Sequence, residues 1–104
     1  MAQFDVHRNP NPETNGIYPF LVALQHDLLG PLETTVVAPM VRDVDPSSPI
    51  TRLNPTFVVE GETVFLSVQE MAGVSRAALG DVVGSVASRR DEIIAALDLL
   101  FTGI

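Results

Sequence analysis

The sequence predicts a mainly β domain that ends in an α-helix: a small antiparallel barrel or twisted sheet with the helix packed on it. Three observations carry this. Short runs of β-favouring residues recur between Gln3 and Val68, separated by breaks rich in Gly, Pro and Asn. An apolar stripe of helical period occupies the C-terminal segment. The chain has 104 residues, 46% of them hydrophobic, which is enough for one modest core and too little for two. A single domain over residues 1–104 follows, with strands first and a helix last.

The first strand is read at Gln3 to His7, where alternation puts Phe4 and Val6 on one face. Residues 8–16 hold Asn9, Pro10, Asn11, Pro12, Asn15 and Gly16 and form a loop. Tyr18 to Gln25 is the second strand. Phe20, Val22 and Leu24 share one face, Leu21 and Ala23 the other, so both faces are expected to be covered. A turn at Gly30-Pro31 leads to a third strand over Thr34–Val41, in which Pro39 predicts a sheet edge or a bulge. Residues 42–55 form a second polar loop.

Thr56–Glu60 and Thr63–Val68 flank Gly61-Glu62, which predicts a hairpin with a type II′ turn and glycine first. Residues 70–87 fit two assignments. Val74 to Leu79 reads as a last strand, and Val82, Val83 and Val86 either extend it or begin the helix. Ser88 is the expected helix N-cap, with Asp91 three residues on in a capping-box arrangement. Asp91 and Glu92 suit the positive end of the helix dipole, whereas Arg89 and Arg90 oppose it. Ile93, Leu97 and Leu100 form the buried stripe, with Ile94 and Phe101 beside it. Gly103 is the expected left-handed residue that ends the helix.

Thirteen acids face six bases, all of them arginine, for a net charge of −7. Such a chain is repelled by nucleic-acid phosphates and anionic membranes, and its charge favours a basic protein partner. It has no cysteine, hence no disulfide and no thiolate metal site. Its start lacks a basic segment followed by an apolar run, and no apolar stretch approaches the ~20 residues of a membrane helix, so a cytoplasmic protein is expected. The apolar content of so small a chain points to a homodimer.

Catalytic chemistry finds little support. His26 neighbours Asp27, but adjacent strand residues face opposite ways, and both His7 and His26 read as surface residues. Asp43-Val44-Asp45 lacks the further oxygen ligands of a calcium loop, and Gly80 and Gly84 lack the lysine and spacing of a phosphate loop. RNA cleavage requires clustered cations, and the only adjacent pair, Arg89-Arg90, reads as a solvated helix start. No catalytic residue, metal or cofactor is expected. The end Phe101-Thr102-Gly103-Ile104 is more apolar than chain ends usually are. Either Ile104 folds back on Leu99 or the tip binds a partner.

Four stretches resemble the CcdB family, the toxins of plasmid and chromosomal toxin–antitoxin systems that poison DNA gyrase. They are Gln3-Phe4-Asp5-Val6; Tyr18 to Leu29, led by Tyr-Pro-Phe and containing Leu24-Gln25-His26-Asp27; Thr35-Val36-Val37-Ala38-Pro39-Met40; and Glu92 to Ile104, ending in Phe-Thr-Gly-Ile. Their order and spacing span nearly the whole chain. The resemblance implies a Src-homology-3-like barrel of the type shared by CcdB and MazF toxins, with a C-terminal helix, assembled as a homodimer. It implies binding to the gyrase A subunit, neutralisation by a CcdA-like antitoxin, and joint repression of the operon, with DNA touched only through the antitoxin. It implies no enzyme activity.

Well-known members carry a tryptophan before the terminal Gly-Ile, and that triplet contacts gyrase. Here Gly103 and Ile104 match, and Thr102 occupies the tryptophan's position. The implied gyrase contact is therefore Thr102, Gly103 and Ile104, supported by the apolar helix face Ile94, Leu97 and Phe101. Two rival readings are a MazF-like endoribonuclease and a non-toxic dimeric interaction module.

Overall fold

The computed structural model describes residues 2–29, 32–43 and 49–103. Among these residues seven strands precede one α-helix: β1 (Asp5–Arg8), β2 (Phe20–Ala23), β3 (Thr34–Arg42), β4 (Thr56–Val59), β5 (Glu62–Leu66), β6 (Ala72–Ser75), β7 (Val82–Ser85) and α1 (Arg90–Thr102). They form one antiparallel sheet in the order β4-β5-β3-β2-β1-β7, with β6 also paired to β3. The expected turn at Gly30-Pro31 and most of Asp43-Val44-Asp45 lie outside the described residues.

β3 is the spine. Along one edge it pairs with β2, and along the other it changes partner, from β6 over Thr34–Val37 to β5 over Met40–Arg42. Two partners diverging from one strand curl the sheet into a half-barrel. Pro39 stands at the divergence. Its carbonyl accepts the Ser67 N–H at 2.9 Å, on the side turned away from β2. The missing proline N–H falls on that same side, between the last β6 pair and the first β5 pair, so no ladder bond is lost. Pro39 therefore lies in the central strand, in unbroken register with Leu21 of β2, and not at the sheet edge or the bulge expected from the sequence.

Alternation sends Phe20, Val22, Ala38, Met40, Phe57, Val59, Val64 and Leu66 to the face covered by α1, where they pack with Phe4, Val6, Ile93 and Ala96. Full burial of an aliphatic side chain of this size contributes about 1.5–3 kcal/mol, and Ile93 is 0% exposed. On the other face Val37, Val41, Phe65 and Ala23 are also buried, as expected for a sheet covered on both sides.

Four local expectations are corrected. Val59 pairs with Glu62, so the two-residue loop is Glu60-Gly61 and not Gly61-Glu62. Both loop residues have positive φ, 50° and 78°, which is a type I′ turn. β1 starts at Asp5 because Phe4 is left-handed, with φ 68°. This costs an aromatic residue on the order of 1–3 kcal/mol. The buried ring, an N–H bond to Ala23 O at 2.6 Å and a carbonyl bond from Val86 N–H at 2.9 Å hold it there. Residues 70–87 become two strands: β6 on β3, then β7 on β1. Ser88 does not cap the helix. It sits in a 3-10 turn, Ala87–Arg89, that passes the N-cap position to Arg89, whose side chain makes no capping bond.

Candidate functional site

α1 carries the tip toward which the sequence points. Its root is locked: Ile93 and Ala96 are buried, and Ile94, Leu97 and Leu100 pack against the core as partly buried residues. Ile94 and Leu97 thus serve mainly to hold the helix. Phe101 differs from them, with 69% of its surface exposed, although Phe4, Phe20, Phe57 and Phe65 are all buried. The Thr102 hydroxyl donates to the Asp98 carbonyl at 2.7 Å, which leaves chiefly its methyl group for a partner. Gly103 is left-handed, with φ 75° and ψ 14°, and its N–H closes on the Leu99 carbonyl at 3.0 Å. The helix end is therefore satisfied internally, and Phe101, Thr102 and Gly103 are exposed together. Ile104, and with it the fold-back onto Leu99, lies outside the described residues.

The cations are largely committed. The Arg89 guanidinium stacks over the Phe57 ring at 4.0 Å. It also donates to the Glu92 carboxylate at 2.5 and 3.0 Å and to the Thr56 carbonyl at 2.6 Å. The carboxylate bond raises the Arg89 pKa, and the same bond lowers that of Glu92. Arg89 is thus a tie between α1 and β4 and not the solvated helix start read from the sequence. His7 also departs from its reading as a surface residue: it is 4% exposed, and its Nδ1 lies 3.0 Å from the Gly80 carbonyl. Because a carbonyl only accepts, Nδ1–H is the donor there, and Nε2 is buried with no hydrogen-bond partner among the described residues.

Two cavities involve residues that the sequence did not single out. One, of about 500 Å³, brings Arg8 and Arg42 together with Glu60 and Glu62 from the β4–β5 hairpin. Arg8 pairs with Glu60 at 2.7 Å, and Arg42 pairs with Glu62 while its Nε donates to the Gly16 carbonyl. The second, of about 440 Å³, lies over β2, β3 and β6. At its lip the Tyr18 hydroxyl donates to Glu70 at 3.0 Å, which raises the phenol pKa, burial and the carboxylate charge adding to the effect. Tyr18–Glu70 and Arg8–Glu60 each join residues 52 apart, and no local sequence signal announces them. Among the described residues no group of three or more His, Cys, Asp or Glu is placed to hold a metal ion, and no helix is long and apolar enough to cross a membrane.

A family model described as "CcdB protein" matches residues 3–103. Among solved structures, an endoribonuclease in complex with its cognate antitoxin, from a mycobacterial species, superposes with a TM-score of 0.74 at 12% identity, covering 94% of this chain and 91% of that one. No curated protein matches the chain in sequence.

Proposed function

Because the chain belongs to the CcdB family, whose model spans residues 3–103, we propose that it is the toxin of a type II toxin–antitoxin pair that docks on the A subunit of DNA gyrase and makes or breaks no bonds itself. The observation that carries the docking site is the exposed tip, Phe101, Thr102 and Gly103, on a helix whose root is fixed by Ile93 and Ala96. An apolar tip held on a rigid element loses little conformational entropy on binding. Threonine offers no ring at position 102, so Phe101 supplies the aromatic surface, and exposed aromatics of this kind are typical binding hot spots.

The chain acts as a homodimer. It is neutralised by a CcdA-like antitoxin, whose basic segment the net charge of −7 attracts, and the two together repress their operon through the antitoxin's DNA-binding part. The fold similarity to an endoribonuclease bound to its antitoxin supports an antitoxin partner. It also raises the rival reading of RNA cleavage. Against that reading, Arg89 is spent on Phe57, Thr56 and Glu92, and Arg8 and Arg42 both face carboxylates. The test is purified gyrase on supercoiled DNA, with this protein or with a variant lacking residues 102–104. Trapped cleaved DNA with the full chain alone is the expected result. Cleavage of RNA by the protein, with gyrase unaffected, would replace this reading by the rival.

A further inference from the structure

The sheet face turned away from α1 holds an apolar trough of about 440 Å³, within the ~300–1,000 Å³ of small-ligand pockets. Leu21, Val37, Pro39, Ala72 and Val74 line it. Among the described residues that line it, Glu70 alone is acidic or basic, and it stands at the lip. Both oxygens of Glu70 are fixed, Oε1 by the Ser67 hydroxyl at 2.9 Å and Oε2 by the Tyr18 hydroxyl at 3.0 Å. These neutral donors orient the carboxylate without cancelling its charge, and none of the ion pairs among the described residues includes it. β6 forms the wall beside it. Among the described residues this Ala-Gly-Val-Ser strand pairs only with β3, so its outer edge presents N–H and C=O groups without a strand partner there, and the strand itself carries no charged side chain.

We propose that this trough docks an extended segment of a partner protein that adds to the β6 edge, sets small aliphatic side chains into the apolar floor, and places one arginine or lysine on Glu70. Edge addition supplies backbone hydrogen bonds, the floor selects side-chain size, and the carboxylate selects the cation. An acidic ligand is excluded by Glu70 and by the net charge of −7. The helix tip takes no part, so this proposal and the gyrase reading fail separately.

The test titrates isotope-labelled full chain with a nine-residue peptide of alternating valine and threonine carrying one central arginine, followed by backbone amide shifts. Shifts are expected at Ala72, Gly73, Val74 and Leu21. Binding is expected to weaken about tenfold in Glu70→Gln, and as much for a peptide with glutamate at the central position. Glu70→Asp, which keeps the charge, retains part of the affinity, so a loss caused only by altered folding is told apart. Equal binding by Glu70→Gln, or no shifts at millimolar peptide, overturns the proposal. It is also overturned if a second copy already covers β6, seen as a dimer that Val74→Asp dissociates.

Discussion

The Arg89 guanidinium lies 4.0 Å from the centre of the Phe57 ring, so the residue that opens α1 is stacked on a residue of edge strand β4. The contact ties the first turn of α1, which has no side-chain cap, to β4. It also converts the arginine that a nuclease reading would need into a structural bond.

Arg89→Ala is expected to destabilise the fold by about 1–2 kcal/mol, the sum of a partly exposed cation–π contact and lost charge-assisted bonds. In a chain of this size that is a fall in Tm of about 4–12 °C, read by thermal unfolding. Arg89→Lys should recover little, because an ammonium lacks the planar fork. The Arg89 bond lowers the Glu92 pKa, so its contribution is present above the ordinary glutamate pKa and lost as pH falls through the folded value. That part of the acid-side dependence disappears in Arg89→Ala.

Tyr18 is the only tyrosine, so absorbance at alkaline pH reports its phenol alone. The hydrogen bond to Glu70, with burial and the carboxylate charge, raises its pKa above that of an ordinary phenol. A group raised in the folded state contributes stability below its unfolded pKa and loses it as pH climbs through the folded one. The titration midpoint should therefore exceed that of the urea-unfolded chain, and Glu70→Gln should narrow the gap, leaving the part that burial causes.

Gly61→Ala should cost about 1 kcal/mol in denaturant unfolding, because φ is +78° and an added Cβ meets nothing within 4 Å. The cost is conformational and not steric. A neutral substitution would mean that the Glu60-Gly61 turn is not of type I′.

Phe101→Ala and Ile93→Ala should separate binding from folding. Phe101 is 69% exposed and its loss should change stability by no more than about 0.5 kcal/mol. Ile93 is 0% exposed and its loss should cost about 2–5 kcal/mol. Loss of gyrase inhibition with an unchanged unfolding curve is the signature expected of Phe101→Ala.

Much of this architecture was legible in the sequence because it depends on local periodicity. The alternation of Phe20 and Val22, the Ile93–Leu97–Leu100 stripe and the left-handed Gly103 all follow from side-chain spacing and one special residue. What escaped depends on contacts that spacing does not encode. Pro39 is tolerated in a central strand only because β3 changes partner there. Ser88 lost the cap position to a 3-10 turn, and His7 is buried by β7 and the Gly80 carbonyl from the far end of the chain. At the candidate site the order of the residues was readable, but not which side each would face. Phe101, expected beside the buried stripe, instead projects into solvent.

The most direct measurement is gyrase cleavage-complex formation with the wild-type chain, Phe101→Ala and the chain lacking residues 102–104, each first verified as folded. Trapped double-strand breaks with the wild-type chain, and none with either variant, is the predicted pattern. Breaks at equal level with all three proteins would contradict docking through the helix tip.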